Sequence, residues 1–246
     1  MSQTRTLPCA GDVHLWRVQL DRDGASYRSK CNDLSTDEQE RCARFAGDEL
    51  QRRYVNTRWA LRRLLADYLD CAPQAVRFRY GPRGKPAVAC PADSGLRFSV
   101  THSSELALIA CTTQADIGVD VEQVRELPFW LDVARRYFSE KELALVEAQP
   151  LADRIRCFLQ IWTFKEAYGK ALGEGVGTAL HGVRSFTGAN GKLFAIAHGR
   201  VQTMAHAPRI ESLALGDEYV AAYSIVGMPV AASVRVLDGP EPPSSP

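Results

Sequence analysis

No apolar run in the 246-residue chain approaches the roughly 20 residues that a membrane-spanning helix requires. Met1 to Asp12 lacks the apolar core of a secretory signal, so the chain is expected in the cytoplasm, away from membranes. An excess of charge is also missing: 30 Lys and Arg stand against 29 Asp and Glu, a net charge of +1. A general nucleic-acid binder carries a clear basic excess, and this chain does not. The seven cysteines (Cys9, Cys31, Cys42, Cys71, Cys90, Cys111 and Cys157) form no Cys-x-x-Cys pair. Odd in number and scattered, they exclude a disulfide framework or zinc site and read as reduced thiols. What is present is an ordinary globular composition, 46% hydrophobic and 24% charged, enough for one large core or two small ones. The Pro- and Ser-rich tail 238–246 is expected to be disordered.

Two segments carry the chemistry. Gly118-Val119-Asp120-Val121-Glu122 puts two carboxylates two residues apart in a β-branched run. Side chains alternate across a strand, so Asp120 and Glu122 share one face while Val119 and Val121 take the other. In Trp162-Thr163-Phe164-Lys165-Glu166-Ala167-Tyr168-Gly169-Lys170, helical spacing sets Trp162, Glu166 and Lys170 on one stripe. Brought together, the segments offer three carboxylates and at least one lysine. Hard oxygen ligands suit Mg²⁺, and lysines beside them suit a phosphate.

The chain also passes through a similar order of elements twice. Ser35-Thr36-Asp37-Glu38 and Ser139-Glu140-Lys141-Glu142 are both capping boxes at helix starts. A helix over 51–69 with Trp59 parallels one over 156–172 with Trp162, and strand-like Val13-His14-Leu15-Trp16 parallels 119–122. Each long helix leads to a strand (76–78 or 183–186) and then a Gly-Lys turn, Gly84-Lys85 or Gly191-Lys192. Residues 105–110 and 218–223 then read as matching strands. Ser139 follows Ser35 by 104 residues, Trp162 follows Trp59 by 103 and Gly191 follows Gly84 by 107. The expected fold is α+β, two similar halves of roughly 105 residues with a site in the cleft between them. The halves are set at 1–115 and 116–237, joined near the polar stretch 112–116. They are chemically unequal. His14 and Trp16 stand where the second half has Asp120 and Glu122, and an arginine, Arg62 or Arg63, stands where it has Glu166.

The first half supplies the candidate anion contacts. Tyr80-Gly81-Pro82-Arg83-Gly84-Lys85-Pro86 cannot be helical, and its glycines with Arg83 and Lys85 suit a phosphate. It lacks the Walker order, and taken alone it reads as a basic hairpin turn. Phe98-Ser99-Val100-Thr101-His102-Ser103-Ser104 is a short strand entering a hydroxyl-rich turn, able to donate to phosphate oxygens. Arg41, Arg44, Arg52, Arg53, Arg58, Arg62 and Arg63 spread round two helices, mostly as solvated faces.

Four blocks, Gly84-Lys85-Pro86, residues 98–103, residues 117–122 and residues 162–170, together resemble the surfactin-type (Sfp-type) 4′-phosphopantetheinyl transferases, in that family's order and spacing. The resemblance covers about Ser35 to Val226. It implies a pseudo-dimer with coenzyme A in the cleft. It further implies Mg²⁺-dependent transfer of the phosphopantetheine arm to a serine of an acyl or peptidyl carrier protein, releasing adenosine 3′,5′-bisphosphate. Asp120, Glu122 and Glu166 match the metal carboxylates, and Glu166 is also implied as the base for the serine. Lys170, with Lys165, matches groups that neutralise charge on the phosphate oxygens. Lys85, Thr101 and His102 fall at contacts with the coenzyme A phosphates, and Arg41 at a basic position reaching its 3′-phosphate; Arg83, beside Lys85 in the basic turn, is expected to bind coenzyme A with them. Ser99 departs from the family's usual Asn. A monomer is expected, because both walls of the cleft lie in one chain. A Mg²⁺-dependent phosphohydrolase and a non-catalytic coenzyme A binder are the rival readings.

Overall fold

A computed structural model describes residues 6–9, 11–21, 24–91, 94–174, 182–188, 192–197, 207–227 and 233–240. Gly191 of the expected second Gly-Lys turn, and residues 241–246 of the expected tail, lie outside these. The first part of the chain forms β1 (Asp12–Gln19), α1 (Thr36–Ala43), α2 (Asp48–Leu69), β2 (Arg77–Tyr80), β3 (Pro86–Cys90), β4 (Leu96–Ser103) and β5 (Leu106–Thr113). The second part forms β6 (Asp116–Gln123), α3 (Trp130–Tyr137), α4 (Glu140–Glu147), α5 (Leu151–Leu172), β7 (Val183–Thr187), β8 (Leu193–Ala197), β9 (Arg209–Leu213) and β10 (Tyr219–Val226). A last strand, β11 (Ser233–Asp238), follows. This is an α+β chain, and none of the described helices is long and apolar enough to cross a membrane.

Strand β5 lies between β1 and β4, and β10 lies between β6 and β9, all four pairings antiparallel. The hairpins β2–β3 and β7–β8 each follow a 22-residue helix, α2 or α5. Burial on both faces explains the apolar strands. Val13 and Leu15 of β1, with Leu106, Leu108 and Ala110 of β5, pack against Val119, Val121, Ala221 and Tyr223 of the other sheet. On the opposite face, Trp16, Val18, Ile109 and Phe98 pack under Trp59, Leu61 and Leu65 of α2. Ala222 and Val226 likewise pack under Phe164, Ala167 and Ala171 of α5.

The two capping boxes do more than start helices. Glu38 accepts from the Ser35 amide at 3.0 Å and Glu142 from the Ser139 amide at 2.9 Å. Each carboxylate is buried and meets a cation from its long helix: Glu38 takes Arg58 and, at 2.5 Å, Arg62, while Glu142 takes Lys165 at 3.0 Å. Arg62 then donates to the Val76 carbonyl and Lys165 to the Val183 carbonyl, both at 2.9 Å. Two buried charge clusters thus recur at one spacing. Arg62 meets Glu38 as Lys165 meets Glu142, and the residue that follows is Arg63 in the one case and Glu166 in the other.

Several boundaries differ from the sequence reading. Helix α2 begins at Asp48 because Gly47, at φ 97, ends the preceding turn and two acids occupy the first helical turn. Helix α5 begins at Leu151, directly behind Pro150. The strand expected over 76–78 lies at Arg77–Tyr80, after a 3-10 turn at Pro73–Ala75. The expected polar joint is a tight reversal: β5 ends at Thr113, β6 starts at Asp116, and Gln114 between them takes φ 63. Most unexpectedly, β11, from the span assigned to the second half and tail, pairs in parallel with β1 of the first.

Candidate active site

Strand β6 meets α5 at Gly118. A Cβ there would lie 1.9 Å from the Ala167 carbonyl oxygen and 2.4 Å from the Ala171 nitrogen, so only glycine admits the helix this close. The close approach sets the strand face bearing Asp120 and Glu122 beside the helix stripe bearing Glu166 and Lys170. Lys170 Nζ donates to Asp120 Oδ1 at 2.7 Å and to Thr101 Oγ1 at 3.1 Å. Thr101 Oγ1 itself donates to Asp120 Oδ1 at 3.0 Å. Trp162, one turn before Glu166, anchors the stripe by packing on Phe158 and Tyr137.

The acids are short of partners. Asp120 Oδ2 and Glu166 Oε1 are buried and accept no hydrogen bond. Buried polar atoms are nearly always paired, with protein, water or an ion. Burial, followed by the charge of Asp120, pushes the carboxyl of Glu122 above the usual range. Burial, Asp120 and Glu122 do the same to Glu166, against the pull of Lys170. Three mutually repelling carboxylates with orphaned hard oxygens suit a hard cation. Among the described residues, however, no three His, Cys, Asp or Glu side chains are gathered closely enough to hold a metal by themselves.

Beside the acids lies a cleft of about 220 Å³, lined by Arg83, Gly84 and Lys85 of the β2–β3 turn, Ser99 of β4, and Lys170 and Glu174 at the end of α5. The turn is a hairpin, closed by the Gly81 amide on the Lys85 carbonyl at 2.9 Å. Lys85 Nζ donates to the Ala171 carbonyl at 2.6 Å and lies 3.5 Å from Asp116 Oδ1, bridging the two parts of the chain. Its ammonium is held below its usual pKa by burial, against the raising effect of Asp116. His102 is exposed beside the site, and partial loss of hydration, then the charges of Lys170 and Arg53, hold its imidazole below the usual value. Arg41 is exposed on α1, its guanidinium 5.9 Å from the centre of the Tyr54 ring.

Two expected phosphate contacts are placed differently. Lys165 does not join the cleft. It is 1% exposed and committed to Glu142 and the Val183 carbonyl, because its neighbour Glu166 takes the site-facing direction of the helix. Thr101 is buried with its hydroxyl on Asp120, within the acid cluster. The hydroxyls at alternate positions 99, 101 and 103 were the available signal, since alternation places them on one face of β4. The glycine at 118 was the other signal overlooked.

The sequence profile of the 4′-phosphopantetheinyl transferase superfamily matches residues 116–224, and that of the 4′-phosphopantetheinyl transferase N-terminal region matches residues 23–114. The chain is similar to the 4′-phosphopantetheinyl transferase HetI of Nostoc, 39% identical over 166 residues, 67% of this chain and 70% of that protein. A putative 4′-phosphopantetheinyl transferase of Synechocystis is 38% identical over 150 residues, 61% of either chain. The 4′-phosphopantetheinyl transferase Sfp of Bacillus subtilis is 26% identical over 147 residues, 60% of this chain and 63% of that protein. Against the last two, the matched stretch spans less than two thirds of the relative's length.

Proposed function

Because this chain belongs to the 4′-phosphopantetheinyl transferase family, we propose that it transfers the 4′-phosphopantetheine arm of coenzyme A to a serine of an acyl or peptidyl carrier protein, with Mg²⁺ as cofactor. The observation that carries this reading is the pair of orphaned buried oxygens, Asp120 Oδ2 and Glu166 Oε1, beside a cleft edged with cations. Asp120, Glu122 and Glu166 would hold Mg²⁺. Substrate pyrophosphate oxygens and water would complete its shell, as this cation usually requires. Bound there, the metal supplies charge neutralisation on the pyrophosphate.

The chain's own residues do the rest. Glu166, raised by burial, is suited to take the proton of the attacking serine. The serine oxygen forms a bond to the phosphorus bearing the pantetheine arm, and the bond from that phosphorus to adenosine 3′,5′-bisphosphate breaks. Lys170, already at Asp120, neutralises charge gathering on the phosphate oxygens. Lys85, Arg83 and His102 hold the coenzyme A phosphates and Arg41 reaches the 3′-phosphate, while Thr101 holds Asp120 through its hydroxyl. Lys85 must then exchange the Ala171 carbonyl for a phosphate.

We read the molecule as a pseudo-dimer of the surfactin type, working as a cytoplasmic monomer. Support comes from the matching strand orders β1-β5-β4 and β6-β10-β9 and from the recurring buried pairs of Glu38 with Arg62 and Glu142 with Lys165. The test is chromatography of adenosine 3′,5′-bisphosphate released from coenzyme A with and without an apo carrier protein. Release that needs the carrier supports transfer, and equal release without it supports hydrolysis.

A further inference from the structure

Strands β4 and β6 run in the same direction side by side without a main-chain ladder, since β4 pairs with β5 and β6 with β10. Hydroxyls of β4 bridge the gap instead. Ser99 Oγ accepts from the Val119 amide at 3.1 Å, and Thr101 Oγ1 donates to Asp120 Oδ1 at 3.0 Å. Ser103 Oγ accepts from the Gln123 amide at 3.1 Å and donates to Glu122 Oε2 at 2.9 Å. A hydroxyl has one proton to give. With the Gln123 amide on its lone pair, the proton of Ser103 is directed to Glu122 and fixed there.

We propose that Ser103, buried on the first half, is a positioning residue for Glu122 of the second. By engaging Oε2 it orients the carboxylate and leaves Oε1 for the site, as Thr101 and Lys170 engage Oδ1 of Asp120 and leave Oδ2. Ligand carboxylates are commonly held by such outer partners, whose loss costs about 10–100-fold in metal affinity. The geometry of the acids on β6 is therefore set from across the joint, by alternate side chains of β4. This rests on the reading of Glu122 as a metal ligand.

The experiment is a Mn²⁺ titration of the full chain with coenzyme A saturating, read by the paramagnetic resonance of free Mn²⁺ and accompanied by thermal melts. It compares the parent, Ser103→Ala, Ser103→Thr, Glu122→Gln and the Ser103→Ala/Glu122→Gln double variant. Positioning predicts that Ser103→Ala weakens Mn²⁺ binding about tenfold. Ser103→Thr, which keeps a hydroxyl, should restore most of it. In the Glu122→Gln background, Ser103→Ala should cost nothing further in affinity. A loss in melting temperature with unchanged Mn²⁺ affinity, or an equal penalty in both backgrounds, makes Ser103 a stitch between strands and overturns the proposal. If Glu122→Gln binds Mn²⁺ as the parent does, the metal reading of Glu122 fails first, and the proposal with it.

Discussion

Lys170 Nζ sits 2.7 Å from Asp120 Oδ1, across the contact between α5 and β6, while the other oxygen of that carboxylate is buried without a partner. The lysine holds the acid in place and offsets part of the repulsion among three carboxylates, without using the second oxygen.

Asp120→Asn should therefore separate folding from function. Turnover with coenzyme A and an apo carrier should fall by at least about 10²-fold, the scale for removing one charge-stabilising group. The melting temperature should hold or rise, because repulsion on Glu122 and Glu166 is relieved. Parallel melts and initial rates check this, and parent-like turnover in Mg²⁺ would sink the assignment of Asp120.

Metal binding should be coupled to protons. Glu122 and Glu166 carry raised pKa values in the free enzyme, so they keep protons at pH values where ordinary carboxyls have lost them. A cation must displace those protons, so Mg²⁺ affinity should rise with pH through the region just above the usual carboxylate range and then level off. Calorimetry in buffers of different ionisation heat should register proton release on the acid side and none near pH 8. Proton-independent binding throughout would contradict the raised values.

Lys165→Met should behave as a stability variant. Removing the cation leaves buried Glu142 uncompensated, which costs about 3–5 kcal/mol when one partner of a buried pair is lost. The KM for coenzyme A should stay within about twofold, because Lys165 is committed to Glu142 and the Val183 carbonyl and gives no uniform phosphate binding to lose. Urea unfolding and steady-state kinetics measure both. A large rise in KM with unchanged stability would return Lys165 to the cleft.

The chemical blocks were legible because they obey simple periods: two residues for Asp120 and Glu122, four for Trp162, Glu166 and Lys170. The capping boxes at Ser35 and Ser139 were equally local and marked α1 and α4 correctly. What the sequence hid depended on partners far along the chain. Lys165 and Glu166 are neighbours with equal claim on a phosphate site, and only the buried Glu142 decides which turns away. Strand β11 is short, and its pairing with β1 spans more than 200 residues (Asp12 with Ser233). Helix α5 begins five residues before its expected start, in a first turn that is mostly solvent-exposed, Leu151 by 80%.

His102 and Arg41 should act on binding more than on rate. His102→Ala and Arg41→Ala should raise the KM for coenzyme A several-fold or more with kcat nearly unchanged, since ground and transition states share the adenosine phosphates. Their penalty should shrink with 3′-dephospho-coenzyme A. If each variant discriminates between the two substrates as strongly as the parent, neither residue reads the 3′-phosphate.

The most direct measurement is the intact mass of an apo carrier protein after incubation with this chain, coenzyme A and Mg²⁺. Transfer of the arm predicts a gain of about 340 Da, the mass of one phosphopantetheine as a covalent modification, on the carrier serine. The gain should vanish with Asp120→Asn. An unchanged carrier mass while coenzyme A is cleaved would contradict the account.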